Sequence, residues 1–130
     1  MGLGKAIEYF TSHGYTVSLP LNDTQKYDLI VDLNNTLSRI SVKTSRHISE
    51  NNTYEVNLRS CGGASGKNIV RHFDKNSCEY IFIYTGDNKI YLIPSTQIEA
   101  KCSIMVGKKY TEYEVHSKTL TEYSYECNKE

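Results

Sequence analysis

Near the start of the chain, apolar side chains recur at the spacing of a helix. Leu3, Ala6, Ile7 and Phe10 would share one face, and Gly14 follows them as a typical helix stop. From residue 15 onward, apolar and polar side chains alternate instead, as they do in half-buried strands. The pattern predicts an amphipathic helix over residues 3–13, followed by a sheet, in an α/β domain.

The alternating segments give the positions of the strands. We predict strands at 15–19, 27–33, 36–44, 54–58, 79–84, 90–93 and 103–106. Pro20 and Pro94 end two of them, since proline cannot donate to a sheet. Beyond residue 106 the pattern weakens, and we expect a fraying helix or an extended tail up to residue 130.

Two of these strands form the hairpin that carries the candidate chemistry. Its turn is Asn34-Asn35, and asparagine tolerates the left-handed backbone of a tight turn. A two-residue loop places Asp28 opposite Ser41, whereas a three-residue loop would place Asp28 opposite Val42. In the first register, one face is mostly apolar and should pack on the core. The other face carries Asp28, Ile30, Asp32, Arg39, Ser41 and Lys43.

Composition sets the size and the charge of the domain. A chain of 130 residues with 38% hydrophobic side chains is large enough for one core, so we expect a single domain over 1–130. The net charge of zero argues against a protein that binds any polyanion. Residues 39–72 nevertheless hold six basic side chains against two acidic ones. That imbalance is compatible with phosphate binding and equally with an ordinary solvated face.

The sequence also bears on location and on the state of the thiols. The N-terminus lacks a long apolar segment behind a basic start, and no stretch is apolar enough to span a membrane. We therefore expect an intracellular, cytoplasmic protein that is not secreted and does not bind a membrane. The four cysteines are far apart and form no CxxC pair, which favours reduced, independent thiols.

A glycine-rich segment, "SCGGASGKN", follows the strand at 54–58. It resembles a phosphate-binding P-loop but departs from it twice, because Cys61 replaces the first glycine and Asn68 replaces the Ser or Thr after Lys67. We predict a flexible surface loop here, with Lys67 as a candidate contact to a nucleic-acid backbone.

The order of these parts resembles the PD-(D/E)XK nuclease superfamily, in particular the branch associated with group I introns and its homing endonucleases. The segments that carry the likeness are "GYTVSLPLNDTQKYDLIVD", "ISVKTS" and "FIYTGDNKIYLIP", in that order. The likeness covers about residues 4–98 and leaves 99–130 as a C-terminal extension. It implies a restriction-endonuclease-like core, with a mixed central β-sheet flanked by helices and an antiparallel hairpin carrying the site.

The resemblance also implies roles for particular residues. Asp28 matches the family's metal-binding aspartate, and Lys43 matches the lysine of its (D/E)-x-K motif. Glu8 resembles a helix-borne acid that completes the metal site in some branches, and the backbone carbonyl of Val42 is a possible further ligand. Ser41 departs from the pattern, because the family has Glu, Asp or often Gln there. Serine is neutral and a poorer magnesium ligand than a carboxylate.

Together these residues imply a metal-dependent DNA endonuclease. Phosphodiester hydrolysis needs charge stabilisation and an activated water, which Mg²⁺ or Mn²⁺ held by oxygen ligands supplies. Lys43 would lie beside the scissile phosphate and counter its developing charge. Because one site cuts one strand, a duplex cut implies a homodimer or a higher homo-oligomer. The candidate DNA contacts are Arg39, Arg46, His47, Arg59 and Lys67.

Two other functions stay open from the sequence. Ser41 favours a nuclease fold that has lost catalysis and binds DNA as a module. Zero net charge and eleven tyrosines favour a small protein-interaction domain. Taken singly, Asp28, Lys43 and Glu8 are more often surface charges than ligands. Their joint placement, with the flanking strands in order, favours the nuclease.

Overall fold

The computed structural model describes residues 2–22, 25–61 and 70–116. Helix α1 spans Gly2–Ser12, and single turns of 3-10 helix lie at Ser95–Gln97 and Thr111–Tyr113. The described strands are β1 (Thr16–Ser18), β2 (Leu29–Leu33), β3 (Thr36–Ser45), β4 (Tyr54–Asn57), β5 (Ser60–Cys61), β6 (Val70–Arg71), β7 (Tyr80–Thr85), β8 (Ile90–Pro94), β9 (Ser103–Val106) and β10 (Glu114–Val115).

Six strands form the central sheet, in the order β1-β2-β3-β7-β8-β10. Strands β3 and β7 run parallel, and the other neighbours in this sheet run antiparallel. The predicted mixed sheet is therefore present. Strands β4 and β9 pair in a second sheet, and β5 pairs with β6 in a third.

The β2–β3 hairpin has the two-residue loop and the register that the sequence predicts. Asn34 and Asn35 both have positive φ, 54° and 67°, as a tight turn between right-twisted strands requires. Leu33 pairs with Thr36, and Leu29 pairs with Ile40. The alternative register, with three residues in the loop, is excluded.

Helix α1 covers one face of the central sheet. Its apolar stripe buries Ala6, Tyr9 and Phe10 against the sheet. Gly2 brings the helix start unusually close to β3, because a Cβ atom at this position would lie 2.5 Å from Cγ2 of Thr44. The sheet residues under the helix are Leu29, Val31, Ile40, Phe82 and Ile90.

The other face of the central sheet is covered by β4 and β9. Val56 and Leu58 alternate with exposed polar side chains and turn inward, where they join Ile81 and Ile83 of β7 in a second core cluster. Where the resemblance implies flanking helices, the described part of the chain has one α-helix on one face and this two-stranded sheet on the other. Ser41, on the face that we expected to be polar, is consequently only 6% exposed.

The C-terminal extension adds to the core as far as it is described. Strand β9 lies where the sequence predicts it, and β10 pairs with β8 at the edge of the central sheet. The predicted tail from residue 117 and the centre of the glycine-rich loop, 62–69, lie outside the described residues. Cys78 and Cys102 are free thiols, as predicted. No described helix is long and apolar enough to cross a membrane.

Candidate functional site

Asp28 lies directly before β2, where the pairing of β2 with β3 ends. At this point the side chain of Asp28, and not a backbone carbonyl, accepts a hydrogen bond from β3. The N–H of Asp28 donates to the carbonyl of Ile40 at 2.9 Å. The next free donor on this edge of β3, the N–H of Val42, donates to Oδ2 of Asp28 at 2.7 Å. An exposed carboxylate is thereby fixed in the notch where β2 and β3 part, which we call the Asp28 notch.

The carbonyl of Val42 opens into the same notch. A strand residue directs its N–H and its C=O toward the same neighbouring strand, and the N–H of Val42 points to Asp28. The Val42 side chain points the other way out of the sheet plane and packs under α1, with Cγ1 close to Gly2. The Asp28 notch therefore combines a carboxylate with a backbone carbonyl.

Ser41 and Lys43 lie on the sheet face away from α1, because side chains alternate along β3. They line a cavity of about 20 Å³, which we call the Lys43 cavity and which is large enough for one water molecule. Within the described residues, Oγ of Ser41 makes no hydrogen bond. The other lining residues are Lys26, Leu58, His72, Phe73, Asp74 and Ser77.

Glu8 lies on α1, which covers the opposite face. Its side chain is 59% exposed and pairs with Nζ of Lys5 at 3.6 Å, and that ammonium group lies over the ring of Tyr84 on β7. To join a cation held by Asp28, Glu8 would have to leave Lys5. An exposed helical pair of this kind contributes about 0.2–0.5 kcal/mol, so leaving it costs little.

The donors in the Asp28 notch suit a hard cation. They are the carboxylate of Asp28 and the carbonyl of Val42, with the Ser41 hydroxyl on the adjoining face of β3. Oxygen ligands of this kind bind Mg²⁺ or Mn²⁺, which complete their coordination with water. Across residues 2–22, 25–61 and 70–116, no three His, Cys, Asp or Glu side chains group together as a metal site. The carboxylate and the carbonyl of the notch would leave most coordination positions of such a cation to water.

Arg39, a predicted DNA contact, is engaged within the chain. Its Nε donates to Oε2 of Glu79 at 2.9 Å, and its Nη2 donates to the carbonyl of Asn76 at 3.0 Å. The hydrogen bond from Arg39 lowers the pKa of Glu79 and raises the pKa of Arg39. The pair anchors the segment before β7, and because the Arg39 side chain is still 41% exposed, its contact with DNA stays a prediction.

The other predicted DNA contacts are exposed where the structure describes them. Arg46 and His47 follow β3, and Arg46 lines a pocket of about 430 Å³ beside the start of α1. Nε of Arg59 donates to Oδ1 of Asn57 at 3.4 Å. Lys67 lies outside the described residues. These contacts stay predictions.

Four polar residues of the Lys43 cavity, namely Lys26, His72, Asp74 and Ser77, were not predicted from the sequence. Lys26 precedes β2, whereas His72 and Asp74 come from the segment between β6 and β7, far from the motif along the chain. The excess of basic residues over 39–72 does not point to them, because Lys26 and Asp74 lie outside that range and His72 is not among the six residues counted.

The comparisons with known proteins agree with this geometry. A family model described as PD-(D/E)XK endonuclease matches residues 2–125, so the chain belongs to the PD-(D/E)XK endonuclease family. Protein 5.3 of Escherichia phage T7 is 29% identical over 102 residues, which cover 77% of this chain and 80% of that protein.

A solved structure shows the same fold. The structure of a bacterial homing endonuclease matches with a TM-score of 0.68 at 20% sequence identity, covering 99% of this chain and 93% of that one. The fold is therefore restriction-endonuclease-like, and both the fold class and the family resemblance predicted from the sequence are confirmed.

Proposed function

We propose that the protein is a metal-dependent endonuclease that hydrolyses phosphodiester bonds in DNA. Membership of the nuclease family supports hydrolysis in general. The observation that carries the particular proposal is the Asp28 notch, where a carboxylate and the carbonyl of Val42 meet beside Lys43. A homing-endonuclease or resolvase-like substrate, linear or branched DNA, is part of the proposal.

Each residue of the site has a distinct task in this mechanism. Asp28 and the Val42 carbonyl would hold Mg²⁺ or Mn²⁺, which when bound supplies charge stabilisation at the phosphate and a more acidic water. The Lys43 ammonium orients the attacking water and counters the negative charge that develops on the phosphate oxygens. Water forms the new P–O bond as the bond to the leaving sugar oxygen breaks; the attacking water gives up a proton to solvent, and the leaving oxygen takes one from solvent.

Ser41 makes this a weaker metal site than the family pattern. Its hydroxyl is buried and neutral, and the Lys43 cavity beside it accommodates about one water. Ser41 would therefore reach the cation through that water. Glu8 would supply a second carboxylate on leaving Lys5, which is why we keep it in the proposed metal site.

Cleavage assays test the proposal directly. The purified protein is incubated with plasmid and branched DNA, in Mg²⁺ or Mn²⁺ and in EDTA. We expect nicking that requires the metal and is lost in Asp28→Ala and Lys43→Ala. Glu99→Ala and Lys101→Ala, two exposed positions before β9, are the matched controls and should cut normally. A folded wild-type protein that never nicks DNA in either metal refutes the proposal.

A DNA-binding module without catalysis is the second candidate, and Ser41 is the observation that favours it. Such a protein would bind DNA with an affinity that falls steeply with salt, as phosphate contacts require, but would leave the DNA intact in both metals. If neither DNA nor RNA binds at low salt, both nucleic-acid functions are excluded, and a protein-interaction domain becomes the better hypothesis.

Cleavage of both strands of a duplex would require more than one copy of the protein. We propose that 1–130 acts as a single domain and that two or more copies associate, since one site cuts one strand. Light scattering coupled to size-exclusion chromatography, with and without duplex DNA, tests this. A strictly monomeric protein in both conditions that still makes double-strand breaks would contradict it.

A further inference from the structure

Three basic side chains converge on the Lys43 cavity. Lys26, Lys43 and His72 all line it, and none of them pairs with an acid elsewhere among the described residues. Lys43 is partly buried, which weakens the screening of its charge by water. Lys26 and His72 are exposed at the rim of the cavity, so an anion that approaches from solvent can contact all three side chains.

Asp74, the acid that lines the same cavity, is committed to its own turn. Its Oδ1 accepts the N–H of Asn76 at 2.9 Å. Its backbone carbonyl accepts Oγ of Ser77 at 2.6 Å. Asp74 therefore offsets part of the positive charge at the rim of the cavity. The three basic side chains still outnumber this one acid.

The segment that carries His72 is held in place from both sides. The N–H of Phe73 donates to the carbonyl of Lys101 at 2.8 Å, and the Phe73 ring packs on the second core cluster. At the other end, Arg39 fixes Glu79 and the carbonyl of Asn76. His72 is thus presented to the cavity by an anchored backbone, which limits the entropy lost when a ligand binds.

We infer that Lys26 and His72 complete, with Lys43, a seat for one phosphate group of the nucleic-acid backbone. The cavity takes about one water and is too small for a phosphate, so the phosphate lies over its mouth, where the three basic side chains contact its oxygens. The imidazole of His72 can donate a hydrogen bond to the phosphate whether the ring is neutral or protonated. The inference rests on the proposed function for the identity of the ligand as DNA.

Inorganic phosphate tests the seat without DNA or catalysis. The imidazole carbon signals of the full chain are followed by NMR at constant pH while phosphate is added. We expect a saturable shift of His72 that disappears in Lys26→Ala. His13, bonded to the carbonyl of Tyr9, and His116, beside Glu114, are internal controls that should not move. The phosphate seat is refuted if the His72 signal does not shift, or if the signals of His72, His13 and His116 shift equally.

Duplex DNA in EDTA tests the same seat with the proposed substrate. We expect Lys26→Ala and His72→Ala each to weaken binding about 3- to 10-fold and Lys26→Ala to lower the slope of log affinity against log salt by about 1. Lys75→Ala, exposed on the same segment but outside the cavity, is the matched control and should bind normally. Asp74→Asn keeps the turn and should bind more tightly. Equal losses in Lys26→Ala and Lys75→Ala contradict the seat.

The two proposals fail separately. The phosphate seat is refuted, and the endonuclease is left intact, if the wild-type protein nicks DNA, Lys26→Ala and His72→Ala leave DNA binding unchanged, and Lys26→Ala leaves the His72 shift unchanged. A saturable His72 shift with phosphate in a protein that never cuts DNA supports the seat and refutes the endonuclease.

Discussion

Replacing Ser41 by glutamate restores the acid that the family pattern has at this position. The structure predicts a cost, because Ser41 is 6% exposed and its cavity of about 20 Å³ accommodates little more than one water. Glutamate adds several heavy atoms, and overpacking of this kind typically destabilises a fold by about 1–3 kcal/mol. It also brings a carboxylate next to Lys43 and close to the Asp28 notch.

We therefore expect the Ser41→Glu protein to be less stable than wild type but to need a lower metal concentration for nicking. Urea unfolding should show a loss of about 1–3 kcal/mol. If the new carboxylate contributes about 1.4 kcal/mol to metal binding, the Mg²⁺ concentration for half-maximal nicking falls about tenfold. Ser41→Gln is the matched control, since it has nearly the same size without the charge. It should lose similar stability, keep its activity and gain less in metal affinity.

The outcome that refutes this reasoning is a Ser41→Glu protein that is folded at the assay temperature and has lost all nicking. Ser41 would then not occupy the motif position, and the Asp28 notch would not be the metal site. Equal gains in metal affinity for the glutamate and glutamine variants would show that the added length, not the charge, makes the contact.

Other changes test the hydrogen bonds and the core around the site. The amide of Asp28→Asn can still accept the hydrogen bond from the N–H of Val42, so the free energy of unfolding should stay within about 0.5 kcal/mol of wild type. Asp28→Ala loses this hydrogen bond and should be less stable by about 0.5–1.5 kcal/mol. Both variants lack the charge of the carboxylate and should lose metal-dependent nicking. The lowered pKa of Glu79 means that its pair with Arg39 stabilises the fold above the ordinary glutamate pKa, and that this contribution is lost as pH falls through the lowered value. Urea unfolding from about pH 6 to about pH 3 should therefore show a flatter loss in Glu79→Gln than in wild type, and parallel curves would contradict the assigned role of the pair. Phe82→Ala removes a ring that is 0% exposed beneath α1 and should cost about 3–5 kcal/mol by the same measurement; a loss below about 1 kcal/mol would contradict the packing.

The hairpin was predictable because local chemistry determines it. Two asparagines at the turn select a two-residue loop, and that loop fixes which residues face each other along β2 and β3. The helix is local in the same sense, with its apolar stripe and its stop at Gly14, where φ is 84°. The candidate residues Asp28, Ser41, Val42 and Lys43 follow from this register once the family is recognised.

The rest of the site depends on contacts that the sequence does not encode locally. Alternation marks β4 and β9 as strands, but it does not show that they pair with each other and bury Ser41. The pairing of Arg39 with Glu79 spans 40 residues, and the local sequence does not show that this basic side chain has an acidic partner. His72 reaches the Lys43 cavity from a segment that this pair holds at one end and the hydrogen bond from Phe73 to Lys101 holds at the other.

In the two proposals, the metal lies at the edge of strand β3 and the phosphate lies on its face. At the edge, Val42 contributes backbone atoms to the Asp28 notch, where a cation fits. On the face, Lys43 contributes its side chain to the cavity over whose mouth we propose that a phosphate lies. Because a strand residue presents its backbone in the sheet plane and its side chain out of it, neighbouring residues serve opposite charges without competing for space. Val42 contributes only backbone atoms to the site, so its side chain can be apolar and packs under α1. The residue between Ser41 and Lys43 therefore contacts the core directly.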